Sequence, residues 1–265
     1  MKNAKIKTII DLQFDGQIFN LLCDNEAGVL ALEIRNNAKY NASYAAFDLK
    51  KNKFINKKIQ PAERWWTSML SVNKESLILY QYHDQQSPDV KDIFALDLKK
   101  GKQLWLHHQV ILQNVENEKL TVLRQNDDNI ENMIITLPEG KLKPFSDDVV
   151  QQKIDKIEQP QHYKENSEYF DTVSKFVNKK YNISPIKAVD YLEVKEFIII
   201  SYYLLTNEGK SLNNELLVLN EQGEILLKEK LAKDLKGIGM DTFVIINGLL
   251  IMIKDKNTLK GYKLY

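Results

Sequence analysis

Residues 92–105, DIFALDLKKGKQLW, decide the fold. An apolar run leads into a charged turn around Gly101, and a return run closes on Trp105. Apolar, aromatic and β-branched residues on either side of such a turn specify two antiparallel strands, because glycine takes positive φ without a Cβ clash. Asp97, just before the turn, can accept hydrogen bonds from the turn's own amides. Residues 43–54, SYAAFDLKKNKF, follow the same plan, with Asp48 in the acid's place and Asn52 in the glycine's. Residues 132–142 (NMIITLPEGKL) and 214–226 (NELLVLNEQGEIL) repeat it more loosely.

These copies are regularly spaced. Asp48 and Asp97 lie about 49 positions apart, and Asp97 and Thr136 about 39, near the length of one propeller blade. A further strand precedes each hairpin: GVLALEIR (28–35), SLILYQY (76–82), LTVL (120–123) and FIIISYYLL (197–205). Upstream of those lie IFNLLCD, WWTSMLSV, VILQNV and KAVDYLEV. Four strands per repeat, joined by hairpins, is the plan of a propeller blade. The last repeat has three strands, TFVIIN, LLIMIK and LKGYKLY, while KIKTIIDLQF at residues 5–14 has no repeat of its own. Open sheet edges invite aggregation, so residues 6–12 are expected to supply the outer strand of the final unit. The expected fold is all-β: a single β-propeller domain over residues 1–265, with about five four-stranded blades closed by the N-terminal strand, and six or seven blades, some degraded, as the alternatives.

Residues 146–182 break the pattern. Phe170, Val173, Val177 and Tyr181 share one helical face, with Ser167 as N-cap, Glu168 and Asp171 in the first turn, Lys179 and Lys180 in the last, and Asn182 and Pro185 as stops. A weaker run puts Val150, Ile154 and Ile157 on one face. The expectation is a helical insertion packed against a blade, with a lid over one end of the ring as the alternative.

Two resemblances rest on these residues. FALDLKKGKQLW is similar to the repeat of quinoprotein-type β-propellers, in which Ala95, Asp97, Gly101 and Trp105 hold the matching places. That likeness implies a propeller and an indole wedged between blades. It does not extend to a quinone cofactor, because the chain has one cysteine and room for about five blades. The order VLALEIR, ERWW, YQYHDQQSPDVKDIFALD resembles an uncharacterised Bacteroidetes family, a domain of unknown function. Ala31, Leu32, Glu33, Arg35, Trp65, Trp66, Tyr82, Asp84, Pro88, Lys91, Ala95, Leu96 and Asp97 carry the likeness, which implies no activity.

Composition narrows the function classes. Charged residues make up 28% of the chain but cancel to a formal +1, so no long-range field gathers nucleic acid or anionic lipid. Cys23 sits among apolar neighbours as a small hydrophobe. No apolar run reaches membrane-spanning length, and the N-terminus carries no signal-peptide core. The expectations are a cytoplasmic, monomeric protein without cofactor or metal, bound to neither nucleic acid nor membrane. His107 and His108 point to opposite faces of a strand and cannot share an ion. NDDNIEN (126–132) lacks the glycine and spaced acids of a calcium loop.

The candidate binding residues are Glu63, Arg64, Trp65 and Trp66, entering one strand, and Tyr82, His83 and Asp84, leaving the strand that pairs with it. Indole faces stack on the apolar faces of sugars, and the acids and arginine can bond their hydroxyls. Two tryptophans locking neighbouring blades is the competing reading. Glu33 and Arg35, two apart on one strand, share a face, and the expectation is that they pair with each other or that Arg35 meets a carboxylate across blades. The function expected is a non-catalytic binding or protein-interaction scaffold with a protein or small-molecule partner. The alternative is a glycan-acting hydrolase or sugar-binding propeller using residues near Trp65, Trp66 and Asp84, with Asp24, Glu33 and Asp190 as further acids.

Overall fold

The computed structural model describes residues 5–84, 86–116, 118–126, 129–146, 157–206 and 209–265. The described chain is all-β apart from one α-helix and one 3-10 turn, and divides into two compact units. One unit is Asp15–Asp155; the other joins Met1–Phe14, which holds β1 (Ile6–Gln13), to Lys156–Tyr265. None of the described helices is long and apolar enough to cross a membrane.

The Asp15–Asp155 unit opens with a four-stranded antiparallel meander: β2 (Gln17–Asp24), β3 (Val29–Asn36), β4 (Asn41–Asp48) and β5 (Lys53–Ile59). A 3-10 turn, Asn37–Lys39, joins β3 to β4. The next sheet has seven strands: β6 (Thr67–Val72), β7 (Ser76–Asp84), β8 (Ser87–Asp97), β9 (Gln103–Val115), β10 (Lys119–Asn126), β11 (Asn129–Thr136) and β12 (Lys141–Pro144). The hairpin reading holds in detail. Asp97 Oδ1 accepts from the amides of Lys99 (2.9 Å) and Lys100 (2.6 Å), and Gly101 has φ +66°. Asp48 Oδ1 accepts from Lys51 N at 2.9 Å, and Asn52 takes φ 52°.

Burial follows the strand period of two. Leu77 and Leu79 face a core shared with Val29, Ala31, Tyr44 and Ala46 of the first sheet, while Ile78 faces Val110, Leu120, Val122 and Ile135. The seven-stranded sheet thus folds its two halves onto each other. VILQNV is not a strand of its own, as the sequence reading had it, but the second half of β9. That strand pairs with β8 through Ile111 and with β10 from Val110 onward. Gln109, at φ 53°, forms the bend that lets one strand serve both halves.

Trp105, on the first half of β9, packs across onto the other half of the sheet. It lies on the turn before β12, where its Nε1 donates to Pro138 O at 2.7 Å. A Cβ added to Gly140 would come within 2.3 Å of the indole, so only glycine fits there.

In the second unit, β19 (Phe243–Ile246), β20 (Leu249–Lys254) and β21 (Thr258–Leu264) form a meander bordered by β13 (Ile157–Glu158) and β1. β1 lies antiparallel to β21, with Ile6 opposite Leu264 and Leu12 opposite Leu259, as the sequence reading expects. The other sheet is β14 (Gln161–Lys164), β15 (Ile186–Val194), β16 (Phe197–Leu205), β17 (Leu212–Asn220) and β18 (Ile225–Leu235).

FIIISYYLL is apolar but for Ser201 because both faces of β16 are covered. Phe197 and Ile199 meet the β19–β21 sheet, and Ile200 and Tyr202 meet α1 (Glu168–Tyr181). α1 buries Phe170, Val173 and Val177; Ser167 Oγ accepts Phe170 N, and Asn182 ends it in the left-handed region. Residues 146–182 are not helical throughout, since β13 and β14 add short strands to existing edges, where unpaired amides and carbonyls await partners. Val150 and Ile154 lie outside the described residues, and their companion Ile157 is in β13.

Candidate functional site

Glu33 and Arg35 anchor the site from behind. Both sit on β3, two residues apart, and point to one face. Glu33 is fully buried, and its Oε1 accepts from Arg35 Nε at 2.7 Å. Its Oε2 accepts from Ser68 Oγ (2.7 Å) and Met69 N (3.1 Å) at the start of β6. Arg35 then donates to the carbonyls of Trp65 (3.1 Å) and Thr67 (2.6 Å). A charge out of water is costly unless it is paired and hydrogen-bonded; here the carboxylate accepts three bonds and the guanidinium donates three. Tyr44 adds a bond to Thr67 Oγ1 at 2.8 Å, and burial pushes its phenol well above the ordinary tyrosine value.

This network fixes the backbone of the Trp65–Trp66 segment, and Glu63 completes the fixing. Its Oε1 accepts from the amides of Trp65 (2.7 Å) and Trp66 (3.1 Å), which hold the carboxyl below its ordinary value. The carbonyl of Arg64 accepts from Ala42 N, and the Arg64 side chain is exposed. Trp66 O accepts from Tyr82 N at 3.1 Å, so β6 and β7 bring these two residues opposite each other.

The rings form two groups that meet at the adjacent Trp65 and Trp66, together the ledge. Arg35 lies over Phe19 (4.7 Å) and Trp65 (5.4 Å), and Tyr40 meets Trp65 edge-on with centroids 5.5 Å apart. Trp66 meets Tyr82 edge-on at 6.4 Å, and Tyr82 meets Tyr80 at 5.4 Å. Lys91 Nζ sits over Tyr80 (5.6 Å) and Tyr82 (5.9 Å). Burial, followed by its bond with Tyr82, raises Tyr80 to about 12. Phe19, Tyr40 and Trp66 remain 65%, 72% and 44% exposed.

The structure therefore brings together Glu63, Arg64, Trp65, Trp66 and Tyr82. Asp84, at the end of β7, is exposed and accepts Gln86 N at 3.0 Å across the hairpin tip; His83 lies between it and Tyr82 on the same strand. Sequence reasoning missed Phe19, Tyr40, Tyr80 and Lys91 as members. Tyr80 and Lys91 were legible from alternation around Tyr82, whereas Phe19 and Tyr40 join through packing that no local pattern records.

Other acids have local duties. Asp24 Oδ1 accepts Ala27 N at 2.9 Å in its turn. In the second unit Asp190 Oδ1 accepts His162 Nδ1 at 2.6 Å, and Oδ2 accepts Thr242 N (3.2 Å) and Oγ1 (2.7 Å). His107 bonds Gly140 O at 2.8 Å, and His108 bonds Asp92 at 3.1 Å, so the adjacent histidines do part company. Among the described residues no three His, Cys, Asp or Glu side chains gather as metal ligands.

A family described as "Domain of unknown function (DUF4905)" matches residues 23–105, the span that holds most of the ledge. No curated protein matches the chain. Among solved structures, the chain is similar to the β-propeller domain of the Trilobed protease from Pyrococcus furiosus, at 12% identity and TM-score 0.34, covering 92% of this chain and 79% of that one. It is similar also to the uncharacterized protein lmo1340 from Listeria monocytogenes EGD-e, at 8% identity and TM-score 0.33, covering 93% and 95%. Against the AtxE2 isopeptidase (11% identity, TM-score 0.32) it covers 73% of itself and 24% of that chain.

Proposed function

We propose that the chain is a β-propeller of five four-stranded units, closed by its N-terminal strand, and that it works as a non-catalytic binding module. The units are β2–β5, β6 to the first half of β9, the second half of β9 to β12, β15–β18, and β19–β21 with β1. Supporting the count are the repeated Asp-centred turns, the shared strand β9, and the pairing of β1 with β21.

The observation that carries the binding role is the ledge itself. Rings of Tyr40, Trp66 and Phe19 stay exposed while Glu63, Arg35 and Glu33 fix the backbone behind them. Rigid aromatic faces lose little entropy on contact, which is why they dominate recognition surfaces. The carboxylates nearby are spent on holding this frame, which favours binding over acid–base chemistry.

Photo-crosslinking tests the role. A benzophenone amino acid at position 66 or 40 should yield adducts in a lysate of the source cells, and one at Ile130, an exposed position on β11, should not. Equal yields at all three positions, or none at 66 and 40, would refute it.

A further inference from the structure

The ledge also carries information about what it binds. Its ring faces are already in use as cation seats, with Arg35 over Phe19 and Trp65 and Lys91 over Tyr80 and Tyr82. On those four rings an external ammonium or guanidinium would have to displace a covalently tethered one; beside Tyr40 it would meet Arg35 one ring away over Trp65, and beside Trp66 it would meet Lys91 one ring away over Tyr82. A polyanion meets no surplus of positive charge. Arg35 is neutralised by Glu33 at 2.7 Å, and the remaining cations, Arg64 and Lys91, are matched in number by Glu63 and Asp84. A purely apolar partner would press these charges out of water without pairing them. What fits is a neutral ligand with flat apolar faces and hydroxyls at its edges, able both to donate and to accept.

We propose that the ledge binds a neutral hexose oligosaccharide, its sugar rings lying on Trp66 and Tyr40 and its hydroxyls bonding Arg64, Lys91 and Asp84. Trp66 is 44% exposed and set edge-on to Tyr82. Tyr40, 72% exposed, occupies the left-handed region at φ 46° just after the 3-10 turn, which throws its ring outward beside Trp65. A bulky residue at positive φ is an uncommon conformation that the surroundings must enforce. Here the turn's own bonds do so: Asn36 Oδ1 accepts from Lys39 N, and Tyr40 N donates to Asn37 O. The ledge thus has two separately built exposed platforms.

This inference rests on the binding role proposed above, and the experiment separates the two. Cellohexaose, maltohexaose and mannohexaose are titrated against the full chain by calorimetry, with oligogalacturonate as an acidic comparator. One of the neutral sugars should bind, and Trp66→Ala and Tyr40→Ala should each weaken it at least about tenfold, the loss usual for a central aromatic contact. Ile130→Ser, on β11, should bind as the parent does. Unchanged melting of the Trp66 and Tyr40 variants shows that the loss is one of contact. Preference for oligogalacturonate, or binding insensitive to both ring substitutions, overturns the neutral-sugar assignment. So does failure of all three neutral sugars. If crosslinks at position 66 to a protein persist in that last case, the binding role stands without the sugar; if they too are missing, both readings fall.

Discussion

Glu33 and Asp190 are both buried carboxylates on inner strands, yet their surroundings differ in one respect. Glu33 faces Arg35, a permanent cation whose Nε, Nη1 and Nη2 all have acceptors. Asp190 faces His162, whose Nδ1 is bonded but whose Nε2 is buried with no partner among the described residues. One network is closed, and the other stops at an unpaired ring nitrogen. A buried polar atom left unpaired costs about 1–3 kcal/mol, so the second network returns less stability for its buried carboxylate. The closed network lies behind the ledge and fixes it, whereas the open one joins β14, β15 and Thr242 in the other unit.

Removing one partner from each network sharpens the contrast. Glu33→Ala strands the Arg35 guanidinium, and the expected loss is about 3–5 kcal/mol, read from the midpoint of urea unfolding. The double variant Glu33→Leu with Arg35→Leu should recover part of that, because no lone charge remains buried. His162→Phe should cost less, about 1 kcal/mol. It deletes a hydrogen bond to Asp190 but also the unpaired Nε2, and the two effects oppose each other. A loss as large as that of Glu33→Ala would mean that Nε2 has a partner after all, such as a buried water, and the comparison would break.

The two networks were not equally legible in the sequence. Glu33 and Arg35 share a strand two residues apart, so their pairing follows from alternation alone. Asp190 and His162 are 28 positions apart and meet only because β14 adds to the edge of β15. The sequence pattern around residues 157–164 points to no strand, since four-residue and shorter strands carry too few alternations to register. The same limit explains β9. Its two halves read as separate strands because the period breaks at Gln109, and only hydrogen bonding across the bend shows them to be one. The turn aspartates and the capped helix were plain, because each is a local device complete within a few residues. For the ledge, Trp66 and Tyr82 follow from strand pairing, but Phe19 and Tyr40 arrive through Arg35, which ties β3 to the Trp65 segment.

A third carboxylate, Glu229 on β18, falls between these cases and gives the smallest effect. It accepts from Tyr262 Oη at 2.6 Å and Lys254 Nζ at 2.9 Å, on β21 and β20 of the unit's other sheet. Burial alone would raise its pKa, but the bonds from Tyr262 and Lys254 outweigh that and hold it below its ordinary value of 4.5. A carboxyl depressed in the folded state contributes stability above its unfolded value, and loses that contribution as pH falls through the folded one. Glu229→Gln should therefore be less stable than the parent at pH 7, by under about 1 kcal/mol for a partly exposed pair. The two should converge as pH falls through the parent's depressed folded value, where its carboxyl takes up its proton. Urea midpoints for both proteins between pH 3 and 7 measure this directly. A gap that stays constant across that range would show that Lys254 and Tyr262 hold the side chain by packing, with its charge contributing nothing.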